Sequence, residues 1–130
     1  MFSGLMTRTA LWAWVVLALC FAATGAQAER MSAMKLVRLC EGTEPAAAPE
    51  LGQFACAYWF NGFLAGYRAG EHEFERQGFK GQRLICLPEQ NTVDQSTRVF
   101  LKYTSEHPEQ LHESARIVVF VSHMLAFRCG

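Results

Sequence analysis

The amino-acid sequence predicts an all-α fold, a small disulfide-stapled bundle of about four helices. Three observations carry that expectation: apolar residues at helical spacing in each long segment, proline and glycine punctuation between segments, and an even set of cysteines once an N-terminal leader is removed. A length of 130 residues fits one domain and leaves no room for a second. Twelve Lys and Arg balance twelve Asp and Glu, and no basic cluster is longer than a pair. Nucleic-acid binders draw most of their affinity from such clusters, so DNA and RNA are excluded as partners. Ten Phe and 51% hydrophobic residues exclude disorder and require a compact core.

Residues 1–28 read as a secretory signal peptide. Arg8 is the only charge before Glu29, and it precedes the apolar run Leu11 to Ala23 and the triplet Ala26-Gln27-Ala28. A positive start, a short apolar stretch and an Ala-x-Ala triplet are the parts of a cleaved leader. The alternative, a membrane anchor, needs about 20 apolar residues, more than this run supplies. A lipid-anchored start at Cys20 wants a small residue where Leu19 stands. Cleavage after Ala28 leaves residues 29–130 as a periplasmic domain with no membrane attachment. It also removes Cys20, turning five cysteines into an even set: Cys40, Cys56, Cys86 and Cys129. Four thiols in a small exported domain imply two disulfides, with three pairings open.

The first helix is short, Ser32 to Cys40, with Ala33, Leu36, Val37 and Cys40 at offsets of three, four and seven. Glu41 to Glu50 contains Gly42, Pro45 and Pro49 and reads as an exposed loop. The second and longest helix spans Leu51 to about Gln77. Gly62, Gly66 and Gly70 recur along it, and glycine costs about 1 kcal/mol per helix position, so the stripe is expected to admit another helix at close range. Gly78 to Asn91 is an extended connector tied down at Cys86. Thr92 and Gln95 form a capping box that starts the third helix, which runs to about Ser105 and buries Val93, Phe100 and Tyr103. His107-Pro108-Glu109 ends that helix and starts the fourth, about Glu109 to Phe127, with a stripe of Leu111, Ala115, Val118, Ser122 and Leu125. The β-branched run Ile117 to Val121 leaves a strand open there, against the flanking helical period.

An up-and-down path through these helices places Cys40 and Cys56 at one end and Cys86 and Cys129 at the other. The pairing expected is therefore Cys40 with Cys56 and Cys86 with Cys129, enclosing about 15 and about 42 residues, for which chain entropy gives about 3 and 4 kcal/mol.

Catalysis is not expected. Cysteines held as cystines are not nucleophiles, and no Gly-x-Ser-x-Gly elbow is present, so the chain is not read as an enzyme. His72 lies between Glu71 and Glu73, but neighbours on a helix point in different directions and do not chelate together. His107 and His112 read as surface residues and His123 as bordering the core. No ligand spacing for a metal appears, and no cofactor is expected. Trp59, Phe60, Phe63 and Tyr67 crowd several faces of the second helix, more than one buried stripe uses: either all four fill the core of a domain that lacks other large residues there, or some of them form a partner or dimer surface.

The ordered pieces Leu36-Val37-Arg38-Leu39-Cys40, Cys56 followed by Gly62 and Gly66, Cys86-Leu87-Pro88, Val99-Phe100-Leu101-Lys102-Tyr103, His107-Pro108-Glu109 and Ala126-Phe127-Arg128-Cys129 resemble the Rap/Tai family of type VI secretion immunity proteins. The likeness runs from about Leu36 to Cys129. There are departures: Trp59 stands where the family often has Tyr, and Arg128 where it often has Pro. The resemblance implies a small helical periplasmic protein, often a homodimer, that binds and blocks a peptidoglycan amidase effector. The candidates for the contact are the loop Glu41 to Glu50, with Glu44, Pro45 and Pro49, or the connector Gln77 to Gln90, with Lys80 and Arg83, and the sequence does not choose between them; Trp59 joins them as a partner-binding candidate.

Two rival functions remain at this level. A periplasmic acid-stress chaperone of the Hde type is also small, helical and disulfide-bonded, and would loosen as its carboxylates protonate. An envelope binding protein with no toxin partner would reuse the same domain.

Overall fold

Ser32 opens the first helix, α1 (Ala33–Glu41), because its hydroxyl accepts from the Lys35 N–H at 3.2 Å. The computed structural model describes residues 30–79, 81 and 83–129; the expected leader lies outside them. Two further N–H groups of the first turn of α1 find their acceptors far along the chain. Ala33 donates to the Glu113 carbonyl at 2.8 Å and Met34 to that of Leu111 at 2.9 Å, while the Ala115 N–H returns to Met31 at 2.9 Å. Helix α1 stops at Gly42, whose φ of 70° is open to glycine at little cost; Gly42 and Thr43 then donate back to Leu39 and Arg38.

Pro49 begins α2 (Pro49–Arg76), 28 residues and about 42 Å long. Thr92 accepts from the Gln95 N–H at 3.1 Å and starts α3 (Val93–Glu106). A single 3-10 turn, Pro108–Gln110, leads to α4 (Ala115–Ala126). The sequence placed the start of the last helix near Glu109. It begins at Ala115 instead, because the carbonyls of Leu111 and Glu113 serve α1 and Ser114 pairs with Ser32 in an isolated bridge. The β-branched run is helical: Val118 and Val119 enter the core and Ile117 faces solvent.

The core is where the helices converge on Phe60 and Phe100, both fully buried with ring centroids 5.7 Å apart, together with Leu36, Val118, Val119 and the small Ala33 and Ala115. On α3 the fully enclosed residues are Ser96, Phe100 and Thr104, with Val93 and Tyr103 at the margin. Ser96 tolerates burial because Asn91 Nδ2 donates to its hydroxyl, and Thr104 because its own hydroxyl donates to the Phe100 carbonyl. On α4 the enclosed face is Ala115, Val118, Val119, Ser122 and His123, and Leu125 lies exposed beside it.

The disulfides join Cys40 to Cys56 and Cys86 to Cys129, with Cα atoms 5.0 and 5.1 Å apart, so one clamps α1 to α2 and the other clamps the connector to the chain beyond α4. All-α architecture and both pairings match the sequence reading. The glycine stripe does not. A Cβ built on Gly62, Gly66 or Gly70 meets nothing within 4 Å, whereas one on the buried Gly52 sits 3.2 Å from the Leu39 carbonyl oxygen and 3.6 Å from its Cα. Gly52 is the place where α1 and α2 touch backbone to backbone. Gly52→Leu is therefore expected to destabilise the fold by about 1–3 kcal/mol through overpacking, measured as a lower urea midpoint; an unchanged midpoint would refute the close approach.

Candidate functional site

Helix α2 ends in a glycine cap that also builds a surface. Gly78 has φ 78° and donates to Glu75, and Phe79 donates to Phe74, both at 3.0 Å. That pattern brings the side chains flanking the turn together, and the Phe74 and Phe79 rings meet edge to face with centroids 6.0 Å apart. The connector then folds back against α2. Tyr67 donates to the Ile85 carbonyl at 2.7 Å, Arg68 donates to the carbonyls of Glu89 and Asn91 at 3.3 and 3.2 Å, and Ile85 is fully buried. Cys86 donates to the Phe127 carbonyl at 2.8 Å beside its disulfide to Cys129.

Between the second half of α2, this connector and α4 lies a solvent-open groove of about 900 Å³. Gly66 and Gly70 form part of its floor, which is deep there because no side chain fills it. Phe74, Phe79 and Leu84 stand around it with 61, 63 and 57% of their surfaces exposed, and Phe120 of α4 closes one wall. Arg83 lies at the groove, ion-paired with Glu75 and 3.8 Å from Glu71. Tyr67 also lies 3.1 Å from the Glu71 carboxylate; burial and then that carboxylate push its phenol up to about 12, so it stays a donor at neutral pH. An apolar hollow with exposed aromatics and a few fixed charges is the make-up of a protein-docking site.

Behind the Phe120 wall is His123, fully buried. Its Nδ1 lies 2.8 Å from the Val119 carbonyl, which only accepts, so Nδ1 carries the proton. Nε2 is then an acceptor with no hydrogen-bond partner among the described residues. Three rings surround it, Phe60, Phe63 and Phe127, at centroid distances of 6.3, 5.2 and 5.7 Å. Burial holds its pKa below the ordinary 6.5, with the Val119 hydrogen bond acting in the opposite sense. An uncompensated buried charge costs several kcal/mol, more than the up to about 2 kcal/mol that a helix C-terminus or an aromatic face returns to a cation, so His123 is neutral at neutral pH.

The sequence-derived candidates separate into distant places. Glu44, Pro45 and Pro49 sit at the end of the bundle closed by Cys40–Cys56, Glu44 half-buried and the two prolines exposed. Arg83 is at the groove near the other end of α2, and Lys80 lies outside the described residues. Trp59 is half-buried, stacked on Phe63 at 6.0 Å and edge-on to Phe60. Most of the aromatic crowd on α2 thus serves the core side, and the exposed apolar residues are others: Leu51, Phe54 and Tyr58 near its start and Phe74 near its end. Of the groove residues, Phe79 and Leu84 fall in the connector named from the sequence but were not singled out, and Phe74 and Phe120 escaped the sequence reading. The signal for Phe74 and Phe79 was present, since a glycine just past a helix with large apolar residues four before and one after it is a capping pattern.

Among the described residues no group of three His, Cys, Asp or Glu is placed to hold a metal ion, and no helix is long and apolar enough to cross a membrane. The geometry offers recognition. Neither a curated protein sequence nor a solved structure matches the chain. The sequence profile of the Rap1a immunity proteins matches residues 32–129. That span takes in the four helices of the described residues, both disulfides and the groove, and the chain belongs to the family of Rap1a immunity proteins.

Proposed function

We propose that this immunity protein is exported to the periplasm, where it binds a peptidoglycan amidase delivered by type VI secretion and covers its active-site cleft. The observation that carries the reading is the exposed aromatic groove at the end of the bundle clamped by Cys86–Cys129. A rigid, water-facing cluster of Phe74, Phe79 and Leu84 supplies the central anchors of an interface of roughly 1,600 Å² in total, with Arg83, Glu71 and Glu75 at its rim. The amidase class follows from the sequence resemblance. Export is supported by the leader-like first 28 residues and by cystines, which persist in oxidising compartments. The separate exposed face of Leu51, Phe54 and Tyr58 is where a second copy would pack if the protein dimerises.

The test is protection. A peptidoglycan amidase effector of type VI secretion, taken from beside the gene for this chain, is directed to the periplasm of a sensitive host, alone and with the full-length chain. Lysis by the enzyme alone and restored growth on co-expression are expected, with nanomolar binding by the purified pair. Growth that is not restored, or is restored equally by a chain lacking residues 1–28, would contradict the reading.

A further inference from the structure

We propose that His123 is an acid-responsive latch beneath the groove: protonation of its enclosed ring parts the upper half of α4 from α2, disassembles the groove wall and weakens binding there. The second clause rests on the proposed function; the first stands on geometry alone.

His123 lies one turn from Phe120, which walls the groove, and one turn from Phe127, whose carbonyl holds Cys86 of the connector. Its ring is wedged between α2 and the end of α4, touching Phe60 and Phe63 on one side and Phe127 on the other. A second ring proton would project from Nε2 into this enclosure, where no described residue accepts it.

Nor does a counter-charge stand near. The ring contacts from α2 are both Phe. The next titratable groups along α2 are Tyr67, stacked on Phe63 at 6.5 Å, Arg68, which donates to the Glu89 and Asn91 carbonyls of the connector, and Glu71, which already faces Tyr67 and Arg83. On α3 the charged residues Asp94, Arg98, Lys102 and Glu106 are exposed, as are Arg38 and Glu41 of α1, Arg116 of α4 and Arg128 next to Phe127. On α1, Lys35 is half-buried in the first turn. The cheapest response to a proton is to let water reach the ring, which means separating α4 from α2.

The sign follows. The unfolded chain takes up the proton near 6.5 and the folded chain resists it, so stability is full above that value and falls as the pH drops through it. With residues 1–28 removed Trp59 is the sole tryptophan, and it stacks on Phe63, one ring away from His123.

The experiment follows Trp59 fluorescence and the thermal midpoint of the purified, leader-free protein, with no partner present, between pH 7.5 and 5. His123→Leu and His123→Gln are run beside it, so that one variant failing to fold leaves the other. Expected for the wild type are a reversible fluorescence change with midpoint below 6.5 and a thermal midpoint lower by roughly 5–10 °C at pH 5, both absent from the variants. The variants also remove His123 from the background of His107 and His112, which lie exposed beside Glu109 and Glu113. A wild type flat over this range, or variants that keep its slope, would overturn the latch. Wild-type and variant behaviour as expected together with no binding to the amidase would leave the latch standing and remove the functional reading.

Discussion

Replacing Cys86 and Cys129 together by Ser is expected to lower the unfolding free energy by about 4 kcal/mol, and to take the groove with it. The 43-residue separation sets the first figure through loop-closure entropy, against about 3 kcal/mol for the 16-residue loop at Cys40–Cys56. The second consequence is local. Among the described residues between Phe79 and Gln90, Ile85 alone is a buried hydrophobic, worth about 2–3 kcal/mol, while ordering roughly a dozen residues costs more than 10 kcal/mol. The hydrogen bonds from Tyr67, Arg68 and Cys86 add about 1 kcal/mol each and do not close that gap. Without the disulfide the connector peels away from α2 and Leu84 and Arg83 leave the groove. Urea denaturation reads the global loss, and faster amide exchange at Cys86 and its neighbours reads the local one. A variant that loses less than 1 kcal/mol and keeps those amides protected would show that packing alone holds this end.

The parts of the fold legible in the sequence were those set by neighbours in the chain. Thr92 with the third N–H beyond it, Pro108 after the third helix, and the helical period around Phe100 and Val118 each carry their own structural instruction. Cysteine pairing was legible because an up-and-down path through the helices decides which ends meet. The start of α4 was not, because it is decided by the distant Ser32, Ala33 and Met34, which take the backbone partners an earlier start would have used. The glycine stripe misled for a related reason. Glycine spacing records where side chains are missing and says nothing of what faces the gap, so the contact with another helix falls at the solitary Gly52 while Gly66 and Gly70 open onto solvent. His123 was placed at the border of the core; three rings from two segments enclose it, and that enclosure exists only when α2 and α4 are assembled.

Filling the groove from its floor is expected to separate binding from stability. In Gly66→Leu with Gly70→Leu the new side chains grow from positions where a Cβ touches nothing, so neither should strain the fold. Each exchange also removes a glycine from a helix interior, a gain of up to about 0.8 kcal/mol per site. The same side chains occupy the hollow between Phe74, Phe79 and Phe120, which an inserted partner residue would need. Loss of a central anchor contact corresponds to at least about 100-fold in affinity, or about 2.7 kcal/mol. Gly62→Leu, on the same helix but away from the groove, serves as the control.

Titration calorimetry of the proposed amidase partner against the wild type, the Gly66/Gly70 double variant and the Gly62 control, with thermal midpoints on the same samples, tests the docking site most directly. The account predicts tight binding by the wild type and the control, and at least a 100-fold weaker Kd for a double variant that melts no lower than wild type. Undiminished affinity in that stable double variant would contradict it.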